Sequence, residues 1–345
     1  MYRYVRLLRL AAIRWAWQEE RRVDVPLYFR LRAWRRGFFS QSYLLYDLDQ
    51  NDYRNFLPDV ARFPQAHIEG KLGRILVDKM LFASVAGSHV RVPRVLALIG
   101  KGRIHATDPA HGVCDTASLL QYCEQSRGVI IKPAQGERGQ GVGKVQADRG
   151  TILLNGKPTD QDDIERWLRR LDDFIITEII EQAEYASRIF PDSANTLRIV
   201  TMRDPDEDGR PFIPVATHRF GVRESVPTDN WSRGGLDAKV DLVTGRLGPA
   251  KRDPRISSTT LVRHPDTGSV IEGVTIPRWE EVVATVLRLA DTFSFLTFVG
   301  WDVIVADDGV VVIEGNNPPD RVIQKEHPFM ADARVRRFFA KMRSH

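Results

Sequence analysis

The stretch Gly300-Trp-Asp-Val-Ile-Val-Ala-Asp-Asp-Gly-Val-Val-Val-Ile-Glu-Gly-Asn316 decides the fold. Two β-branched runs, Val303 to Val305 and Val310 to Ile313, flank Asp307-Asp308-Gly309, where glycine supplies the positive φ a tight turn needs. The stretch therefore reads as a β-hairpin. Its register carries the chemistry, because side chains alternate along a strand and a one-residue slip moves them to the other face. A two-residue Asp-Gly loop would put Asp302 and Glu314 on opposite faces. A three-residue loop with Gly309 left-handed opposes Asp302 to Glu314 and gathers Asp302, Glu314 and Asn316 on one face. The second register is the expected one. Two carboxylates and an amide at the end of an apolar strand pair are costly to bury without a partner. Such hard oxygen donors suit Mg²⁺, with Mn²⁺ as the alternative, since Mg²⁺ takes one or two carboxylates and fills its shell with water and phosphate oxygens. A surface hairpin with charged ends is the competing reading.

A second feature lies upstream. The strand Gly128-Val-Ile-Ile-Lys132 runs into Pro133-Ala-Gln-Gly-Glu-Arg-Gly-Gln-Gly-Val-Gly-Lys144. Gly136, Gly139, Gly141 and Gly143 lack the helix start of a dinucleotide fingerprint and the Gly-Lys-Ser/Thr of a P-loop. Val142 to Gln146 alternates instead like a second strand. The segment reads as a glycine-rich flap between strands, able to fold its N–H groups over phosphates, with Lys132 as a point charge at its mouth. A flexible hairpin is the alternative.

At 345 residues the chain is long enough for two or three lobes. Cys114 and Cys123 form neither a disulfide framework nor a metal spacing, so reduced thiols and a cytoplasmic protein are expected. No apolar run reaches membrane-spanning length, and Arg3, Arg6, Arg9 and Arg14 interrupt any signal-peptide core. The net charge of +5 is uneven: residues 1–38 hold ten arginines and three acids, and the remainder 40 basic and 42 acidic residues. A general nucleic-acid binder is thereby disfavoured.

Along the chain, Tyr4, Leu7, Leu8, Ala11, Ala12 and Trp15 form an apolar stripe that predicts a basic helix over 1–20, and residues 26–36 continue the pattern. This arm either packs on its own protein or makes peripheral contact with an anionic membrane or acidic partner. Helices are predicted over 72–86, carrying Lys79, from an N-cap at Thr116 to Gln125, over 160–171, over 277–293 led by Pro277, and over 331–343. Strands are predicted from Val90 to Ile99 around Pro93, at 174–178, 196–202 and 213–220, and on either side of a turn between Val240 and Leu247. Residues 225–270 read as polar and loop-rich. Arg198, inside an apolar strand, needs an anionic partner: phosphate, a substrate carboxylate or Glu314. Glu178 ends an apolar strand before Ile179-Ile180-Glu181, where a hinge could meet an adenine edge and ribose hydroxyls. Arg219 or Arg233 could hold a substrate carboxylate and Asp229 an amine, in a loop region with Asn230, Gly234 and Gly235, unless these are solvated loop residues. His327 lies just beyond the metal residues, where a lone histidine is more often structural.

In this order, Asp78-Lys79, Lys132-Pro-x-x-Gly-x-x-Gly-x-Gly-Val142, Asn195-Thr-Leu-Arg198, Asp229-Asn230 with Gly234-Gly235, Asp241-x-x-Thr-Gly245 and Gly300-Trp-Asp302 resemble the ATP-grasp superfamily, in its sugar-transfer-associated, α-L-glutamate-ligase-related branch. The resemblance covers about residues 40–330. It implies an α+β fold in which two α+β subdomains clamp ATP between antiparallel sheets, behind a helical N-terminal region. The division expected is 1–70, 71–182 and 183–345. It also implies that Lys79 and Lys132 contact phosphates, that residues 136–141 are the flap, and that Glu178, Ile180 and Glu181 meet adenine and ribose. Asp302, Glu314 and Asn316 would bind Mg²⁺, and Arg198 and Arg219 would act on the triphosphate or acyl phosphate. The substrate residues would be Arg219, Asp229, Asn230, Arg233, Gly234 and Gly235. The implied reaction activates a carboxylate as an acyl phosphate for attack by an amine, with ADP released. Two rivals remain: a kinase on the same site, and a non-catalytic nucleotide-binding protein in polysaccharide assembly.

Overall fold

The computed structural model describes residues 20, 23–62, 69–107, 112–136, 141–257, 259–317, 319, 324 and 328–342. Residues 1–19 of the helix expected over 1–20, most of the glycine-rich flap including Gly139, and His327 lie outside the described residues.

Helices α1 (Leu27–Arg35) and α2 (Ser40–Leu45) lead the chain and pack around Ala33, Phe38, Tyr43 and Tyr46. The segment expected as one helix over 72–86 is two, α3 (Arg74–Val77) and α4 (Lys79–Ala86). The break is Asp78, which is extended and whose carboxylate caps α4 by accepting from Met80 N and Leu81 N, both at 3.0 Å. An aspartate there satisfies orphan donors better than a continued helix would.

A seven-stranded antiparallel sheet follows: β1 (Val95–Gly100), β2 (Arg103–Ala106), β3 (Val129–Pro133), β4 (Gly143–Asp148), β5 (Thr151–Leu154), β6 (Lys157–Thr159) and β7 (Phe174–Glu178), in the order β2-β1-β7-β3-β4-β5-β6. β1 starts two residues after Pro93, which has no N–H for a ladder. Helices α5 (Thr116–Gln125) and α6 (Gln161–Leu168) pack on this sheet through Leu119, Cys123, Ile164 and Leu168. The cap of α5 is Asp115, one residue before the expected Thr116, locked by a reciprocal bond with Ser118. Asp160 caps α6, which ends three residues short of Leu171.

Helix α7 (Glu184–Ile189) leads to a six-stranded antiparallel sheet of β8 (Leu197–Arg203), β9 (Pro211–Phe220), β10 (Leu236–Val240), β11 (Leu247–Lys251), β12 (Phe298–Ala306) and β13 (Gly309–Asn316), in the order β11-β10-β9-β8-β12-β13. Both faces are covered. Leu197, Ile199, Val299, Trp301 and Val303 pack under α8 (Trp279–Thr292) and α4. On the opposite face, Val200, Met202 and Phe298 meet Val335, Phe338 and Phe339 of α9 (Ala333–Met342). Helix α8 begins after Arg278, which sits at φ 56°, rather than at Pro277. Trp301 is fully buried, with Phe82 and Phe293 at 6.4 and 6.5 Å between ring centres and its indole N–H donating to Thr201 at 2.8 Å.

The decisive hairpin is β12–β13. Asp302 pairs with Glu314 as expected, by a different route. The loop has two residues, Asp307-Asp308, because Ala306 pairs with Gly309, which takes φ 148°. A bulge between Asp302 and Val303 leaves Ile313 as the extra residue and restores the pairing of Asp302 with Glu314.

Before β10, the 3₁₀ turn Trp231–Arg233 is closed by Gly234 at φ 96°, and a Cβ on Gly235 would meet the carbonyl oxygens of Asp229 and Asn230 at 2.5 and 2.9 Å. Gly235→Ala is therefore expected to cost about 1–3 kcal/mol through forced backbone movement, read as a lower melting temperature.

Candidate functional site

Residues from both sheets meet at one end of the hairpin. Alternation on β8 sends Val200 and Met202 under α9, while Arg198, on the same face, reaches the polar end, opposite Asp302 in register. Arg198 binds Asp302 through two N–H groups: its Nε donates to Oδ1, and its Nη2 to Oδ2 at 3.1 Å. Arg219, from β9, donates to Asp302 Oδ2 at 2.8 Å. Arg219 is itself held by Thr196 Oγ1, at 3.0 Å from its Nε, and by Asp229 Oδ2 at 3.4 Å. Asp229 accepts from Thr196 N at 2.9 Å and from Thr196 Oγ1 at 2.6 Å. Arg198 and Asp302 are nearly inaccessible to solvent. Burial alone would push the Asp302 carboxyl up, but Arg198 and Arg219 outweigh it and hold the group down at about 2. Glu314 goes the other way: burial and the facing Asp302 carboxylate raise it, against the pull of Lys79 and Lys132.

The lysines come from the first sheet's side. Lys79 opens α4, and its N–H donates to Ala134 O at 2.9 Å; its ammonium donates to Gly136 O at 2.9 Å and lies 4.0 Å from Glu314 Oε2. Gln135 forms an isolated bridge with Asp78 and donates to its carboxylate at 3.3 Å. The start of the glycine-rich segment is thus tied to the Lys79 helix, and its described far end resumes at Gly141 before β4. Lys132, at the end of β3, is pulled below its ordinary value by burial and by Lys79, against Glu314 and Asp302.

Among the described residues no cluster of three or more His, Cys, Asp and Glu side chains could hold a metal. The oxygen donors here are Asp302, Glu314 and Asn316. Asn316 spends an amide N–H on Gly300 O at 3.3 Å and keeps its carbonyl oxygen as an acceptor. One residue on, Asn317 Oδ1 is buried without a hydrogen-bond partner among the described residues. Asp302 Oδ1 accepts one bond and retains a lone pair. A carboxylate driven toward its neutral form beside an ionised one is the charge imbalance a cation relieves. Two carboxylates and an amide leave the rest of the shell to water and phosphate, so this set fits Mg²⁺.

Other expected residues lie elsewhere. Glu178 accepts from Arg94 N and from its guanidinium, each at 3.0 Å, and exposed Glu181 pairs with Arg127 at 2.7 Å. Beyond Ile180 the chain crosses to the second sheet, where Ala183 N donates to Val305 O at 2.8 Å. Asn230 caps the 3₁₀ turn by accepting from Ser232 N at 3.0 Å, and Gly234 and Gly235 shape that turn. Arg233 is exposed and makes no side-chain bond among the described residues. Sequence reasoning missed Thr196, whose hydroxyl joins Asp229 to Arg219. Its only signal was its place two residues before Arg198.

His218, next to Arg219, is buried between Tyr185, whose hydroxyl lies 2.8 Å from Nε2, and the stacked ring of Phe220 at 4.3 Å. Burial, with Arg219 beside it, pulls its pKa from 6.5 to about 3, so it is neutral. A depressed histidine contributes stability that is full above its unfolded value and lost as pH falls toward the folded one. Between about pH 6.5 and 3, His218 is expected to remove stability at roughly 1.4 kcal/mol per pH unit. Thermal melts across that window should decline more steeply for the wild type than for His218→Gln.

No helix among the described residues is long and apolar enough to cross a membrane. No curated protein matches the chain in sequence. Among solved structures it is similar to D-alanyl-alanine synthetase A from Vibrio cholerae O1 biovar eltor, at 10% identity and a TM-score of 0.46, covering 81% of this chain and 66% of that one. It is also similar to the ATP-grasp ligase PsnB complexed with minimal precursor, Mg and ADP, at 13% identity and a TM-score of 0.40, covering 80% and 61%. A third is the ADP complex of N5-carboxyaminoimidazole ribonucleotide synthetase, at 11% identity and a TM-score of 0.42, covering 72% and 47%. The chain thus spans between 47% and 66% of the length of these structures. The family model for sugar-transfer associated ATP-grasp matches residues 61–326, across both antiparallel sheets and the lysine–carboxylate cluster between them. The fold is the α+β ATP-grasp fold, and the chain belongs to the sugar-transfer associated ATP-grasp family.

Proposed function

We propose that the protein is an ATP-dependent carboxylate–amine ligase that works through an acyl phosphate and releases ADP and phosphate. The observation that carries this reading is the approach of Lys79 and Lys132, from one sheet's side, to the Asp302–Glu314 pair of the other. A substrate carboxylate oxygen attacks the γ-phosphorus and ADP leaves; the amine then attacks the acyl carbon, and phosphate leaves as the amine gives up a proton. Little covalent help is needed from the protein, only positioning and charge neutralisation. Lys79 and Lys132 hold phosphate oxygens, with Gly136, Gly139 and Gly141 closing over them to exclude water. Glu178, Ile180 and Glu181 line the nucleoside end. Asp302, Glu314 and Asn316 would hold Mg²⁺, which would offset negative charge on the phosphate oxygens. Arg198 and Arg219 keep positive charge beside the transferring group. Thr196 and Asp229 fix the plane of Arg219, and Asn230, Arg233, Gly234 and Gly235 border the substrate side. An ATP-dependent ligase of this kind would work in the cytoplasm.

³¹P NMR of the protein with Mg²⁺-ATP and pooled amino acids, peptides and uronic acids tests the reading. ADP and free phosphate that need both a carboxylate and an amine, and vanish in Asp302→Ala/Glu314→Ala, are expected. A new phosphomonoester signal would make it a kinase. ATP binding unchanged in the double variant, without turnover, would make it a non-catalytic nucleotide binder.

A further inference from the structure

Helix α1 has two apolar faces. Ala33 is completely buried and Phe29 packs edge-on to Tyr43, 5.0 Å between ring centres, so one face is spent on the protein's own core. The other carries Leu27, Tyr28, Leu31 and Trp34, which are 68%, 71%, 49% and 42% exposed. Their spacing, i, i+1, i+4 and i+7, puts them on one side of the helix. Apolar side chains scattered singly over a surface need no explanation, but four on one face of a nine-residue helix do.

The charge on this face points to an anionic occupant. α1 carries Arg30, Arg32 and Arg35 and no carboxylate; Arg30 turns inward onto Glu20 and the carbonyls of Val23 and Val25, and Arg32 pairs with Asp49, which leaves Arg35 on the outer face. The carboxylates nearby are committed: Glu20 accepts from Trp34 Nε1, Ser40 N and Ser40 Oγ, and Asp49 pairs with Arg32. Arg35, on the exposed side between Tyr28 and Leu31, has no partner among the described residues. The sequence immediately before adds Arg3, Arg6, Arg9, Arg14, Arg21 and Arg22 against Glu19, Glu20 and Asp24. An indole and a phenol beside two leucines, edged by the Arg35 guanidinium, match the boundary between acyl chains and anionic headgroups. The aromatic rings lie at the interface and arginine stems extend toward the headgroups.

We infer that the outer face of α1 docks on the surface of an anionic lipid bilayer, with Leu27, Tyr28, Leu31 and Trp34 entering the headgroup boundary and Arg35 meeting lipid phosphates. The contact is peripheral and reversible. It rests on α1 alone and does not depend on the reaction proposed above.

The test is co-sedimentation of the full-length protein with phosphatidylcholine vesicles and with vesicles containing about one-third phosphatidylglycerol, at low and high salt. Binding to the anionic vesicles at least tenfold stronger than to the neutral ones, weakened by salt, is expected. Leu27→Gln/Leu31→Gln should lower that binding about tenfold or more, and Arg35→Glu should lower it without changing the residual neutral-vesicle binding. Both variants should keep the wild-type melting temperature. Equal binding to both vesicles, or none, overturns the proposal. So does a fall in melting temperature in the leucine variant, which would assign the face to packing within the chain. Binding untouched by the leucine variant but lost in Arg3→Glu/Arg6→Glu/Arg9→Glu would move the contact to the preceding arm. A dimer seen by sedimentation equilibrium and abolished by the leucine variant would assign the face to a second copy.

Discussion

Asp302→Ala is expected to unfold the protein's second sheet at markedly lower temperature and to abolish ATP turnover. The side chain is the common partner of two buried guanidiniums, Arg198 and Arg219. Removing it leaves the buried Arg198 without its counter-charge and Arg219 with Asp229 alone, and breaking a buried ion pair from one side costs about 3–5 kcal/mol. The same truncation removes one of the two carboxylates proposed to hold Mg²⁺. Stability and activity can be separated by a second variant. In Asp302→Leu/Arg198→Met that pair becomes apolar while Arg219 keeps Asp229, and buried ion pairs replaced this way are often neutral or better in stability. Melting temperature should then recover while turnover stays lost. Wild-type turnover in Asp302→Ala would sink the metal assignment.

Lys132→Met should separate the two properties in a single substitution. Burial already works against the Lys132 ammonium, with Lys79 adding repulsion, and only Glu314 and Asp302 favour the charge. Methionine keeps the length and apolar stem of the side chain and removes the desolvated charge. Stability is expected to change little, because the relief of desolvation is offset by a Glu314 that has lost one of its neighbouring cations. ATP turnover should fall about 10²–10³-fold, the usual loss when one preorganised charge partner of a developing anion is removed. Turnover within a few-fold of wild type, measured by ADP release, would remove Lys132 from the phosphate site.

The hairpin was legible because β-branched runs and an Asp-Asp-Gly turn allow few alternatives, and because a carboxylate pair is chemically conspicuous. The path of its backbone was not. The bulge at Ile313 forms where β12 must match both β13 and β8, and no local signal encodes a demand set by a strand about a hundred residues away. Arg198 was readable as a buried cation in need of an anion. Its partner is Asp302, which was not among the candidates of phosphate, a substrate carboxylate or Glu314, because cross-strand register rather than composition selects it. Cap positions were off by one at Asp115 for a simpler reason: aspartate and threonine both cap, and the reciprocal bond with Ser118 decides between them. Asp229 is expected from the sequence to receive an amine, and the fold adds that its carboxylate is engaged by Thr196 and Arg219. Loop residues with several partners across a fold are the ones a linear reading places least well.

The strand order of the second sheet has a consequence for synthesis. β8 to β11 are complete before β12 is made, yet β12 lies beside β8, so until then β8 is the sheet's edge. That edge carries Leu197, Ile199, Val200 and Met202 with unpaired backbone groups, and an Arg198 with no carboxylate opposite it. A nascent chain stalled before Phe298 therefore exposes a hydrophobic template for strand addition by another chain. Translation of β12 and β13 closes the edge, neutralises the arginine and builds the carboxylate cluster in one event. Chains truncated there should be recovered as aggregates rather than as inactive soluble protein.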